Sequence, residues 1–177
     1  MAQVVVFHSV LGLRPAELRA AKRFRAAGHV VHTPDLYAGA TAATLDDGFA
    51  IMARVGWDTI ARRAADALRD LPADTVLAGF SMGAGVVDAV LPHRTGTAGV
   101  LLFHGLASVP AGTRAQLHVA DPDPFAPPAD VAAWRTADAQ VFTYPGAGHF
   151  YTDEDLPDHD PRAAALTWRR ALDFLRA

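Results

Sequence analysis

The 177-residue sequence predicts an α/β domain, a mostly parallel sheet of about six or seven strands with helices on both faces. Three observations carry that expectation. Short apolar runs alternate with helix-like segments from one end of the chain to the other. The runs are continuously apolar rather than alternating with polar residues, as expected of parallel strands covered on both faces. No repeat, low-complexity tract or linker interrupts the series, so residues 1–177 form a single domain in this reading.

The elements follow in order. Gln3 to His8 is a β-branched run and the first strand. Pro15 opens an amphipathic helix that runs to Ala27, and Gly28 closes it as the residue just past a helix end. His29 to Thr33 is a second strand, stopped by Pro34-Asp35. Leu45 to Leu71 reads as a long helical region broken near Gly48 or Gly56, with Ile60, Ala64, Leu68 and Leu71 on one stripe. Thr75 to Phe80 is a buried strand that leads into Ser81, and a helix follows to about Val90. Gly99 to Phe103, Ala115 to Ala120 and Gln140 to Tyr144 are three more strands. A helix from Ala129 to Ala137 separates the last two. The final helix, Arg162 to Arg176, sets Ala165, Trp168, Leu172 and Leu175 on one face.

Composition excludes several classes of function. A hydrophobic fraction of 51% and a mean hydropathy of +0.12 fit a packed domain, not a disordered or membrane-spanning chain. The net charge of −3 and pI near 6.2 give no basis for a nucleic-acid partner. Arginine supplies nearly all the basic charge, Lys22 being the single lysine, and no role is assigned to that bias. Without cysteine there is no disulfide, no thiolate metal site and no cysteine nucleophile. Val4-Val5-Val6-Phe7 is too short for a signal core or a span and lacks a basic leader, so a cytoplasmic protein is expected. A monomer and a homodimer are equally open.

The chemistry gathers at Gly79-Phe80-Ser81-Met82-Gly83. A serine on a tight strand-to-helix turn needs small residues two positions either side, because the backbones nearly touch. Such a turn lifts Oγ above the sheet beside the positive end of the next helix and makes the Met82 N–H a donor for an oxyanion. Serine also needs a base, since its hydroxyl is protonated at neutral pH. Of eight histidines, His149 is the candidate, carried after a strand by the flexible Pro145-Gly146-Ala147-Gly148. His8 and His104 each end a strand and are candidates for the pocket wall. The base needs an orienting carboxylate. Asp121 and Asp123 both follow the strand ending at Ala120, and spacing does not choose between them. Ser81, an aspartate and His149 stand in the chain order of the α/β-hydrolase sheet. No His-Glu-x-x-His pair or spaced carboxylate cluster suggests a metal, and Gly79 to Gly85 lacks the lysine of a phosphate loop. No metal and no cofactor are expected.

These residues resemble the dienelactone hydrolase family of α/β-hydrolases, over most of the chain. The resemblance lies in Val4 to Leu13, Thr33-Pro34-Asp35-Leu36-Tyr37, the turn at Ser81, Leu117-His118 and Asp123-Pro124-Phe125-Ala126-Pro127. Tyr144-Pro145-Gly146-Ala147-Gly148-His149-Phe150, with Asp160-Pro161 and the last helix, is its most specific part. The resemblance implies an α/β-hydrolase fold, Ser81 as nucleophile, His149 as base and Asp123 as its orienter. It also implies an oxyanion hole formed by the Val10 and Met82 N–H groups.

Three departures from the family pattern shape the expected chemistry. Ser81 stands where the best-known members carry cysteine, and Ser9 where they carry the glutamate that serves the thiol. Losing both together suggests ordinary serine esterase chemistry. Phe150-Tyr151-Thr152-Asp153-Glu154-Asp155 replaces a stretch holding a substrate-binding arginine, so an acidic loop is expected to repel anions. The chain opens at the strand before the oxyanion loop, which predicts no cap domain and an open pocket. The expected function is hydrolysis of a small carboxylic ester or lactone through an acyl-enzyme. The alternatives are a non-catalytic small-molecule-binding relative, or a hydrolase of thioesters or amides. His8, Ser9, Phe125, Phe150 and Tyr151 are the expected pocket residues, with Trp134 a further aromatic candidate.

Overall fold

Each expected apolar run becomes a strand in the computed structural model, which describes residues 1–135 and 139–177. The strands are β1 (Gln3–Phe7), β2 (Val30–His32), β3 (Val76–Phe80), β4 (Val100–Phe103), β5 (Ala115–Asp121) and β6 (Ala139–Pro145). They form one sheet in the order β2-β1-β3-β4-β5-β6, and every neighbouring pair is parallel. The helices are α1 (Pro15–Ala26), α2 (Leu45–Val55), α3 (Trp57–Leu68), α4 (Met82–Val90), α5 (Pro128–Ala133) and α6 (Pro161–Arg176). The expected helix from Ala129 to Ala137 thus begins one residue earlier and ends at Ala133, short of the expected end, of which positions 136 and 137 lie outside the described residues.

The period-two alternation of strand side chains divides the core in two. Val5, Phe7, Leu77, Val100 and Leu102 point toward α2, α3 and α4, where Ile51, Ile60, Ala64, Ala84 and Val87 meet them. Val4, Val6, Ala78, Leu101 and Phe103 point the other way, against Ala20, Ala21 and Phe24 of α1 and Trp168, Ala171 and Phe174 of α6. Both faces are therefore covered, which is why the strands read as uninterrupted apolar runs.

Of the two glycines considered as breaks in the long helical region, Gly56 is the break. It stands at φ +82°, a conformation glycine adopts without a steric penalty, and α3 starts at the next residue. Gly48 stays inside α2 and is small for another reason: a Cβ there would come within 2.8 Å of the Val10 carbonyl oxygen. Chain order turns back at β1, with β2 on one side and β3 on the other. The loops leaving β1 and β3 consequently diverge to opposite faces and open a crevice at the carboxyl edge of the sheet. No helix among the described residues is long and apolar enough to cross a membrane.

Candidate active site

The crevice between β1 and β3 holds Ser81. The residue stands at φ 51° and ψ −110°, between the last residue of β3 and the first of α4. Its N–H donates to the Phe103 carbonyl at 2.8 Å, and its own carbonyl accepts from Ala84 N–H at 2.8 Å. The flanking glycines are small because backbone occupies the space a side chain would need. A Cβ on Gly79 would strike the Gly83 carbonyl, and one on Gly83 would strike the carbonyl of Phe7 at the end of β1. Gly105, after β4, is under the same constraint, with Ser81 O only 2.7 Å from a built Cβ.

Ser81, His149 and Asp123 come together from three different strand ends. Ser81 Oγ lies 3.0 Å from His149 Nε2, and His149 Nδ1 lies 2.9 Å from each oxygen of Asp123. A carboxylate only accepts, so the proton sits on Nδ1 and Nε2 is free to accept from the serine hydroxyl. The Phe125 N–H donates to Asp123 Oδ1 at 2.9 Å and fixes the carboxylate. Asp121, the other candidate, is the exposed last residue of β5, and its carbonyl accepts from Gly146 N–H at the base of the histidine loop. That loop is tied a second time where Asp158 accepts from Phe150 N–H at 3.0 Å. Both His149 and Asp123 are buried.

The loop after β1 supplies the facing wall. Ser9 N–H donates to Glu17 Oε1 and Arg14 N–H to Glu17 Oε2, each at 3.1 Å, while Leu11 N–H donates to Ser9 Oγ at 3.3 Å. Gly12 N–H reaches the Ser9 carbonyl at 3.1 Å. Among the described residues, the Val10 N–H meets no acceptor, nor does the Met82 N–H at the first position of α4. Both residues border the cavity above Ser81. Two unpaired donors beside a serine hydroxyl are able to hold an oxyanion. Glu17, which the sequence reading did not single out, is the buried pin of this loop. Burial raises its carboxyl above the usual range, and the N–H groups of Ser9 and Arg14 oppose that rise.

The cavity at Ser81 measures about 280 Å³ and is lined by Val10, Leu45, Phe49, Met52, Trp57 and Phe125, with Met82 and the 104–106 segment at its base. A larger groove, of about 490 Å³, runs between α3 and α4 far from this chemistry. Its Arg94 is engaged with the carbonyls of Leu68, Leu71 and Pro72. Of the expected pocket residues, Phe125 lines the Ser81 cavity, its ring 4.7 Å from that of His149. The others are placed elsewhere. His8 is fully buried, with Nδ1 donating to Ser9 O at 2.7 Å and Nε2 accepting from Leu36 N–H at 3.0 Å. It braces the loop after β1 against the loop after β2. Ser9 engages its hydroxyl with Leu11 N–H and its amide with Glu17 of α1, as above. Phe150 packs edge-on behind His149 at 4.5 Å. Tyr151 is wholly buried, its hydroxyl 2.8 Å from Thr167 Oγ1 on α6. Trp134 donates from its indole to the Ala107 carbonyl, at a separate depression.

His104 is a half-anticipated member of the site. It stands at φ 61°, lines the base of the cavity and meets the His149 ring edge-on at 5.8 Å. Nε2 pairs with Thr152 Oγ1 at 2.7 Å, and Nδ1 is buried without a partner among the described residues. Burial, reinforced by the neighbouring His149 and His118, holds its pKa well below the ordinary histidine value, so it stays neutral beside His149. Leu45, Phe49, Met52 and Trp57 were missed. Leu45, Phe49 and Met52 fall at i, i+4 and i+7 of α2, an apolar stripe distinct from the buried Gly48 and Ile51. That second stripe is the signal that identifies a helix facing a cavity as well as the core.

The acidic segment after His149 does not face the cavity, and the expected repulsion of anions has no source there. Asp153 is buried and bonds Arg14 at 3.0 Å and Arg19 at 3.5 Å. Asp155 bonds Arg19 at 2.6 Å, and Glu154 bonds Arg23 at 3.1 Å. The three carboxylates are thus neutralised by α1 and its leading residue.

No functionally curated protein matches the chain. Solved structures do. A dienelactone hydrolase-like promiscuous phosphotriesterase from metagenomic libraries superimposes with a TM-score of 0.76 at 22% identity, covering 99% of this chain and 86% of that one. A Klebsiella pneumoniae protein assigned to the dienelactone hydrolases gives 0.77 at 16% identity, covering 100% and 88%. A cold-adapted esterase from an Arctic intertidal metagenomic library gives 0.66 at 16%, covering 98% and 81%. At such identities the likeness speaks for the α/β-hydrolase fold, without a separate cap domain among the described residues. The family model of the dienelactone hydrolases matches residues 1–177, the full length of the sequence, and the chain belongs to the dienelactone hydrolase family.

Proposed function

We propose that this hydrolase is a serine esterase, cleaving small carboxylic esters or lactones through an acyl-enzyme at Ser81. The observation that carries the reading is the continuous hydrogen-bonded line from Ser81 Oγ to His149 (3.0 Å) and on to Asp123 (2.9 Å). Ser81 Oγ attacks the ester carbonyl carbon while His149 Nε2 takes the hydroxyl proton. The carbonyl oxygen becomes an oxyanion that accepts from the Val10 and Met82 N–H groups. Collapse breaks the bond to the alcohol oxygen, which leaves with the proton returned by His149. Water, deprotonated by the same imidazole, attacks the acyl carbon, and the acid departs as Ser81 recovers its proton. Asp123 keeps the proton on Nδ1 and stabilises the imidazolium formed in each half.

The test is intact-mass analysis after treatment with a fluorophosphonate, beside a Ser81→Ala control. One adduct on the wild type and none on the control is the expected result. Replacement of Ser81 should also lower ester turnover by a factor on the order of a thousand or more. An unlabelled wild type that also fails to turn over phenyl acetate refutes the reading.

A further inference from the structure

We infer that this site takes an uncharged ester bearing an aromatic or bulky aliphatic group, held between Phe49, Trp57 and Phe125; the inference rests on the esterase reading above. Six large apolar side chains are exposed among the described residues, and three of them gather at this one cavity. Phe49 is 40% exposed, Trp57 42% and Phe125 43%. Scattered singly, such residues need no explanation, but a cluster around a nucleophile does. They arrive from separate elements: α2, the first residue of α3, and the turn that carries Asp123. Phe49 and Phe125 face each other at 6.3 Å between ring centroids, and the Trp57 ring lies 3.3 Å from where a Gly85 Cβ would stand. Gly85 is thus small to admit the indole. Leu45, Met52 and Leu106 complete an apolar wall.

Among the described residues, no lysine or arginine lines the cavity, and no carboxylate does. Its one ionisable side chain besides the reacting groups is His104, which burial keeps neutral. Arg14, Arg19 and Arg23 do not line it and are engaged with Asp153, Asp155 and Glu154. A carboxylate on either half of the ester would therefore lose water without gaining a partner. Flat rings presented at the mouth favour an aryl or branched alkyl group, because stacking adds to the area buried.

The experiment compares esters that differ only in charge. 4-Carbamoylphenyl acetate is set against 4-carboxyphenyl acetate, and phenyl 5-carbamoylpentanoate against phenyl 5-carboxypentanoate. The neutral ester of each pair should show a kcat/KM about thirtyfold or more above the anionic one, since an unpaired charge gains nothing to offset its lost water. Phe49→Arg, a half-exposed position that tolerates a long side chain, should shrink that ratio by about tenfold by supplying the missing cation. Equal rates for neutral and anionic esters, in an enzyme whose phenyl acetate turnover needs Ser81, overturn the inference and leave the esterase reading intact. Phenyl acetate turnover that is absent or survives Ser81→Ala overturns the esterase reading, and this inference with it.

Discussion

His118 offers a test of the buried architecture that does not depend on the active site. Its ring lies on the α6 face of the sheet, stacked between its cross-strand neighbours Phe103 at 5.4 Å and Phe142 at 5.3 Å. Gln116 Nε2 donates to Gln140 Oε1 at 2.7 Å, so Gln116 Oε1 must accept from His118 Nε2–H, also at 2.7 Å. His118 Nδ1 therefore accepts from the Tyr144 hydroxyl at 2.8 Å, and Arg170 donates to the same phenol oxygen at 3.2 Å. A second ring proton has no acceptor in this line. Burial, with a smaller contribution from the Arg170 charge, accordingly lowers the His118 pKa from 6.5 to about 3. The sign follows from linkage. Below pH 6.5 the unfolded imidazole takes a proton that the folded one refuses, so stability is full above about 6.5 and drains as pH falls toward about 3. Each pH unit crossed in that window removes about 1.4 kcal/mol, and the whole interval about 5 kcal/mol. His8 and His104 are displaced the same way, whereas Glu17 is displaced upward and works in the opposite sense near its own range. A substitution is needed to separate them. His118→Gln removes the titration, at a neutral-pH cost of about 2 kcal/mol for the lost packing and one unpaired partner. Urea unfolding followed by tryptophan fluorescence at pH 7.5, 6, 5 and 4 should give the wild type a steeper decline, by about 1.4 kcal/mol per pH unit between about pH 6 and pH 4. Parallel declines in the two proteins refute the argument.

Three further outcomes concern the loops. Glu17→Gln keeps one acceptor for the Ser9 and Arg14 amides and turns a donor toward the other, so the Val10 amide should shift: kcat for phenyl acetate falls by about tenfold, with KM unchanged. A loss of stability without a loss of kcat would reduce Glu17 to a helix cap. Asp153→Asn strands the largely buried Arg14 and should cost about 1–3 kcal/mol in urea unfolding, whereas Glu154→Gln, in an exposed pair, should cost less than about 1 kcal/mol. Equal costs would contradict the burial argument. Ser81→Gly should be about 1 kcal/mol more stable than Ser81→Ala, because only glycine occupies φ 51° and ψ −110° without strain, less its greater entropy when unfolded. The reverse order in thermal denaturation would show that the turn stores no strain.

The strands and the turn at Ser81 were legible because both are written in local pattern: uninterrupted apolar runs, and glycines two residues either side of a serine. His149 was legible because its loop is glycine-rich and follows a strand. Spacing did not choose between Asp121, the last residue of β5, and Asp123, two residues on; the family resemblance pointed to Asp123, which is buried where Asp121 is exposed. The ion pairs of the histidine loop were illegible for a plainer reason. Arg14 and Asp153 are 139 residues apart, and nothing in either neighbourhood announces the other. A run of acids was read as a field acting on the substrate, when its counterions stand on α1 and the residue that leads into it. His8 was misplaced because the end of a strand says which edge a residue occupies, not whether its ring points into the crevice or beneath the loop.

The division of labour between sheet and helices explains why the candidate site at the strand ends was easier to read than the wall of its cavity. Ser81, Asp123, His149 and the Val10 loop all hang from strand ends of the one sheet, each secured by backbone hydrogen bonds or close backbone packing that tolerate one kind of residue. Such constraints leave glycines and motifs in the sequence. The cavity wall is built differently. Phe49 and Met52 belong to a helix that touches the Val10 loop through Gly48, and Trp57 follows the Gly56 break. Their requirement is only to be apolar and to face inward, which many residues satisfy, so they leave no motif. The same looseness means that changes at Phe49 or Trp57 should move KM and substrate preference while leaving the Ser81–His149–Asp123 geometry in place. On the proposed reading, chemistry is held by the sheet edge and substrate choice by α2 and the start of α3, and the two can vary independently.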